Sequence, residues 1–193
     1  MKKIPISGGP HTGKTTLFEA LKKEFPKAYF VPEPAEIVIQ RQRDKQKLDS
    51  NYKGIFPVTN YQAFMPLVIE ESLKLEAIIP LETKIVFQDR CLIDNIGYAC
   101  LNQCREILPN DINQKIILAN YALALFCEPV GNYSATDIRH ETSEQAQKTH
   151  KQLEKAYQSS GIEIIYLPAI DVPGRVEIVK QTIDSLFNSE RLK

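Results

Sequence analysis

The chain has 193 residues, with 24 Lys and Arg balancing 24 Asp and Glu, so its formal net charge is zero. That balance excludes the basic footprint of a general nucleic-acid binder. The longest apolar run, Ile116 to Cys127, is broken by Asn120 and is too short to span a bilayer.

At about 150 residues per domain, the length fits a single domain over residues 1–193 with a core large enough to need no disulfide or metal staple. Short β-type runs alternate with longer amphipathic ones. Lys3 to Ser7 reads as a first strand, with an edge-like or irregular start at Pro5. Pro5, Gly8, Gly9 and Pro10 also cut off any apolar core of a signal peptide. From Lys14, Leu17, Leu21 and Phe25 recur on one helix face, and Ala28 to Val31 follows as a strand stopped by Pro32 and Pro34. A helix from Ala35 to about Lys45 leads into a polar stretch, residues 44–57, expected to be a mobile loop. A long helix spans Thr59 to Ile79, kinked at Pro66, and Lys84 to Gln88 is an apolar strand of the type buried on both faces.

Helices are expected at 92–104 and 111–120, then a buried strand at Tyr121 to Cys127. A polar segment, 129–142, precedes a charged helix over 142–159, a strand at Ile162 to Leu167 and a closing amphipathic helix from Val172. Strands alternating with helices predict an α/β three-layer sandwich: a parallel, about five-stranded sheet with helices on both faces. Cys91, Cys100, Cys104 and Cys127 form neither a metal-site spacing nor a disulfide pattern, which points to reduced thiols in the cytoplasm.

The segment Ile6 to Leu17 carries most of the chemistry. Gly8, four residues, then Gly13, Lys14 and Thr15 complete a P-loop pattern between a strand and a helix. Glycines allow the backbone to approach phosphate oxygens, and the amides of Gly9, Pro10's neighbours His11 and Thr12, and the helix start through Thr16 surround them. In that pattern Lys14 is expected to reach the β- and γ-phosphates of a nucleoside triphosphate, and the Thr15 hydroxyl to ligate Mg²⁺. His11 reads as filler rather than a catalytic base.

Other candidates sit at the carboxyl ends of strands, where open α/β sheets bind ligands. Glu33 in Pro32-Glu33-Pro34 is either a base that takes a proton from a substrate hydroxyl or a lead-in to the next helix. Asp89 is placed to partner Mg²⁺ and Arg90 to hold phosphate oxygens. Asp94 either faces the same pocket or supports its helix. Gln62 is positioned to bond an amide edge of a substrate. The segment with Tyr133, Asp137, Arg139, His140 and Glu141 is either a lid in which Arg139 stabilises the transferring phosphoryl group or a solvated charged loop. Asp171 to Arg175 is the expected adenine-side loop.

Together these segments resemble the small P-loop ATPase and kinase-like family, an AAA-type ATP-binding domain of the thymidylate kinase, deoxynucleoside kinase and nicotinamide-riboside kinase kind. GGPHTGKTTL, VPEPAEIVIQ, FQDRCLIDNIGY and NYSATDIRHE are similar to its successive motifs, with Glu36 and His140 where arginines are usual. The resemblance implies a base role for Glu33, an acidic-Arg pair at Asp89 and Arg90, and a base-reading role for Gln62. The expected activity is transfer of the γ-phosphoryl of Mg-ATP to a nucleoside-like hydroxyl. Two rivals stand beside it: a slow ATPase acting as a switch or nucleotide-binding module, and a nucleoside monophosphate kinase. A GTP switch would need Asn-Lys-x-Asp where this chain has Cys127-Glu128-Pro129-Val130.

Overall fold

The computed structural model describes residues 1–130 and 142–191. In chain order these form β1 (Lys2–Ser7), α1 (Lys14–Glu24), β2 (Tyr29–Val31), α2 (Pro34–Leu48), α3 (Tyr61–Ala77), β3 (Ile85–Asp89) and α4 (Leu92–Leu101). A short 3₁₀ turn, Arg105–Ile107, is followed by α5 (Ile112–Ala119), β4 (Ala124–Cys127), α6 (Ser143–Ser160), β5 (Ile164–Leu167) and α7 (Val172–Arg191). All strand pairings are parallel, in the order β2-β3-β1-β4-β5, as the alternation of strands and helices predicts.

The layers follow from the two-residue period of the strands. In β4, Leu125 and Cys127 pack with Leu17 and Leu21 of α1 and with Val179 and Ile183 of α7. Ala124 and Phe126 point the other way, onto Ile93 of α4 and Leu153 and Tyr157 of α6. Helices therefore cover both faces of the sheet, and the strand ends carry the loops. No helix among the described residues is long and apolar enough to cross a membrane.

Pro5 departs from the edge-like start expected of it, because β1 is the central strand. The sheet accommodates the missing donor locally. Ala122 N donates to Lys3 O and Arg90 N to Ile6 O, so odd residues of β1 turn their polar groups to β4 and even residues to β3. Pro5 thus faces β4, where the ladder is interrupted: Lys3 bridges Tyr121, and pairing resumes only at Ile6 with Leu125. One extra residue on the β4 side spans the gap, a bulge-like offset that removes the need for an N–H at Pro5.

The polar stretch after β2 is also more ordered than expected, since residues 44–48 complete α2. Lys45 and Lys47 lie in its last turn, where cations favour the helix. Gln42 then fastens the following segment, its buried Oε1 accepting from Tyr52 Oη at 2.5 Å and Ile55 N at 3.1 Å. Asn60 caps α3 by accepting from Ala63 N at 3.0 Å, and Pro66 lies inside that helix.

The contact of α4 with α6 is close because Gly97 lacks a side chain. A Cβ there would stand 2.8 Å from Leu153 Cδ2 and 3.1 Å from Leu153 Cα. Gly97→Val is expected to push these helices apart and cost about 2 kcal/mol or more, read as a lowered thermal midpoint. An unchanged midpoint would show that the contact yields freely.

Candidate active site

The loop between β1 and α1 is built on unusual backbone angles: φ is 132° at Gly8, 60° at His11 and 77° at Gly13. Gly8 is required twice over, by its angle and because a Cβ would lie 2.6 Å from the Cys127 carbonyl oxygen of β4. Beyond Gly13, α1 opens with amides that have no intrahelical acceptor, so partial positive charge faces the loop. Thr15 and Thr16 are exposed on this first turn, and Pro10 and His11 are half-buried in the loop.

Lys14 is buried, and its Nζ donates to Gly9 O at 2.8 Å and reaches Thr12 Oγ1 at 3.4 Å. Burial, reinforced by nearby Arg90, pushes its pKa down to about 8. A cation held in so dry a place gains strongly from an incoming anion.

Asp89 ends β3, beside Ile6 of β1, and is 7% exposed. Its Oδ1 has no hydrogen-bond partner among the described residues. Burial and the neighbouring Glu33 carboxylate raise its pKa to about 6. Arg90 adopts φ 68°, a costly angle for a non-glycine residue. Its guanidinium reaches the loop after β1, with Nη1 3.4 Å from Gly8 O. Nε donates to Glu33 Oε1 at 3.0 Å, Nη1 donates to Asp94 Oδ1 at 3.1 Å, and the group lies 5.2 Å from the centre of the Tyr98 ring.

Glu33 occupies the cap position of α2, yet its side chain makes no cap bond. Pro34 suits the first helical position because its missing N–H has no intrahelical acceptor there, and the Glu33 carboxylate, rather than capping the helix, accepts from Arg90. Asp94 is 1% exposed and fully engaged. Ser7 Oγ (2.5 Å) and Arg90 donate to its Oδ1, while Cys91 N (2.9 Å) and Tyr157 Oη (2.6 Å) donate to its Oδ2. It supports the site from behind.

Glu33 and Arg90 form part of the wall of a cavity of about 220 Å³ between α2, α3 and α4. Tyr61, Phe64, Met65 and Val68 make it apolar, and Asn95 and Tyr98 supply polar atoms. Asn95 is buried, and its Nδ2 has no hydrogen-bond partner among the described residues. Gln62 is exposed on α3 and does not line this cavity. Cys91, Asn95 and Tyr98 share one helix face, a spacing visible in the sequence although it did not mark these residues as site candidates.

Arg175, expected in an adenine-side loop, instead lies in α7 with 2% exposure. It donates to Thr12 O of the loop, to Glu128 O at 2.8 Å and to Pro168 O at 2.7 Å. Three carbonyls from the segments that follow β1, β4 and β5 converge on it, and nothing local in the sequence signals that. Arg139 and its neighbours Tyr133, Asp137, His140 and Glu141 lie outside the described residues.

A glycine-rich loop leading from the central strand of a parallel sheet into a helix defines a P-loop α/β protein. A family described as AAA domain matches residues 3–175, and the chain belongs to that family. Among solved structures it is similar to deoxyadenosine kinase from M. mycoides with dCMP and a flexible dCDP bound (TM-score 0.64, 15% identity, covering 95% of this chain and 99% of that one). It is likewise similar to the NadR protein in complex with NR (TM-score 0.62, 23% identity, 86% of this chain), of which it spans 43%. A third likeness is to thymidylate kinase from Ehrlichia chaffeensis (TM-score 0.58, 15% identity, 94% of this chain and 98% of that one). These are likenesses of fold. No curated protein sequence matches the chain.

The raised pKa of Asp89 has a consequence for stability. Keeping this carboxyl ionised costs stability at pH 8, and the cost disappears as pH falls from about 6 toward its ordinary 3.8. Asp89→Asn is therefore expected to stabilise the free protein at pH 8 by on the order of 1–2 kcal/mol, with the gain shrinking below pH 6. A variant less stable than the parent at pH 8 would refute that balance.

Proposed function

We propose that the protein is an ATP-dependent kinase that transfers a phosphoryl group to a hydroxyl of a nucleoside-like acceptor. The observation that carries this reading is the position of Glu33. It is a carboxylate freed from capping, set 3.0 Å from Arg90 on the wall of an apolar cavity beside the P-loop. The structures it resembles, of deoxyadenosine kinase and of NadR with NR, support the same class of acceptor.

In this reading Lys14, the loop amides other than that of Gly9, which is already bonded to a histidine of α6, and the start of α1 bind the phosphates of ATP. Mg²⁺ arriving with the nucleotide would be held by the Thr15 hydroxyl and Asp89, whose partnerless Oδ1 fits a cation ligand; when bound, the ion neutralises charge on the phosphates. Glu33 accepts the proton of the acceptor hydroxyl as that oxygen forms its bond to the γ-phosphorus. The bond from phosphorus to the bridging oxygen breaks, and ADP leaves with that electron pair. Arg90, and Arg139 by resemblance, offset charge on the transferring group. Asn95, whose Nδ2 has no hydrogen-bond partner among the described residues, is placed to donate to a polar edge of the acceptor.

The cavity favours an uncharged acceptor over a monophosphate. Among its described lining residues Arg90 is the cation, and Glu33 and Asp94 already hold it. The four cysteines are free thiols, which fits a reducing compartment, and we place the protein in the cytoplasm.

ADP release from Mg-ATP, measured across nucleosides, nicotinamide riboside and nucleoside monophosphates, tests the proposal. Nucleoside-dependent turnover is expected, and Glu33→Gln should lower kcat by about 10²–10⁴ while ATP still binds. ATP binding without stimulation by any acceptor would favour the slow-ATPase reading.

The pH profile of kcat/KM is expected to be bell-shaped. Its acid limb lies near 6, where Asp89 takes a proton as pH falls, and its alkaline limb near 8, where Lys14 loses one as pH rises. Lys14→Arg should remove the alkaline limb from whatever activity remains. A limb that persists near 8 in that variant would assign it to another group.

A further inference from the structure

His150 of α6 lies against the P-loop, 141 residues along the chain from the glycine it touches. Gly9 N donates to His150 Nδ1 at 3.2 Å. An accepting Nδ1 puts the ring proton on Nε2, which faces Glu128 Oε2 at 3.6 Å. The ring rests on Phe126, with centroids 5.0 Å apart. A Cβ on Gly9 would stand 2.7 Å from His150 Cβ and 3.0 Å from its Cα, so loop and helix backbone meet with no room between them.

Gly9 is held from both ends. Its carbonyl accepts from Lys14 Nζ at 2.8 Å and from Thr12 Oγ1 at 2.9 Å. A lysine that turns toward phosphate must give up Gly9 O, and once it does, Thr12 Oγ1 on the carbonyl and His150 Nδ1 on the amide are the side-chain restraints left on this residue, and the histidine contact is the one that comes from outside the loop.

We infer that His150 is a positioning residue for nucleotide binding: its neutral ring, steadied by Glu128, fixes Gly9 so that the loop keeps the shape that receives phosphate. This rests on reading the loop as a phosphate site, and it adds a residue that the P-loop pattern does not contain. Proton uptake at Nδ1 would set two donors face to face and break the contact. The charged groups around the ring are Glu128 at the end of β4, Glu154 one turn along α6, and Lys14 from the loop side. Burial lowers the His150 pKa and outweighs the two carboxylates. The neutral form therefore prevails at neutral pH, and the contact fails only as pH falls below the ordinary histidine value of about 6.5.

Calorimetric titration of the full chain with Mg-ADP tests this, using His150→Ala, His150→Phe and His150→Asn at pH 7.5 and 5.5 beside thermal midpoints. Asn carries an oxygen where histidine carries Nδ1, so it keeps an acceptor for Gly9 N without a titrating ring. His150→Ala and His150→Phe should weaken binding at pH 7.5 by about three- to tenfold, and His150→Asn should stay within about twofold of the parent. Between pH 7.5 and 5.5 the parent should lose affinity relative to His150→Asn. Should a variant fail to fold, this comparison of the parent with the remaining variants still decides the matter.

Equal binding by His150→Ala and the parent, or no rescue by His150→Asn, overturns the inference alone. So does a parent that binds relatively tighter at pH 5.5, because a protonated His150 would then be attracting phosphate directly. Failure of the parent to bind Mg-ADP at all overturns the phosphate-site reading and takes this inference with it.

Discussion

Asp94 receives four hydrogen bonds at 1% exposure, and the rest of the site hangs from them. Ser7 ties it to the end of β1, Cys91 N to the start of its own helix, Tyr157 to α6, and Arg90 to the turn after β3. A buried carboxylate without such partners would cost several kcal/mol. With them it becomes a fixed negative charge that holds Arg90 in place despite an unfavourable backbone angle. Arg90 in turn draws Glu33 away from the α2 cap. The base candidate, the phosphate-side cation and the P-loop strand are thus set by one buried group that touches neither nucleotide nor acceptor in the proposed reaction.

The site is assembled at a cost that other parts of the molecule offset. Lys14 and Asp89 are both buried where their charged forms are disfavoured, and His11 and Arg90 both have positive φ. Such strain persists where the surroundings over-determine the geometry. Here they do so from three sides: Cys127 O packs on Gly8, His150 binds Gly9, and Arg175 binds Thr12. Groups kept poorly solvated in the free protein are those that gain most when phosphate and its cation arrive.

Much of this was legible in the chain. Short, nearly continuous apolar runs marked the strands, and apolar residues three or four apart marked α1 and α7, because burial of a strand on both faces or of a helix on one leaves a simple local trace. The P-loop was legible for a related reason: its chemistry needs particular residue types at fixed spacing within one local segment. Pro5 and the end of α2 were read less well. A proline in a central strand depends on a bulge-like offset in β4, and whether Gln42 pins the next segment depends on where Tyr52 and Ile55 lie, neither of which is a local property.

By itself, then, the sequence determined the α/β class, the position of the phosphate loop and the polar residues at the strand ends, since each is written in nearest-neighbour spacing. Only the tertiary structure decided which of those residues meet. It turned Glu33 onto Arg90, put Asp94 behind the site rather than in it, left Gln62 in solvent, and brought Asn95 to the cavity and His150 and Arg175 to the loop. The physical reason is distance along the chain: a hydrogen bond between residues 141 or 163 positions apart leaves no local pattern, because it exists only once the sheet has placed its strand ends side by side.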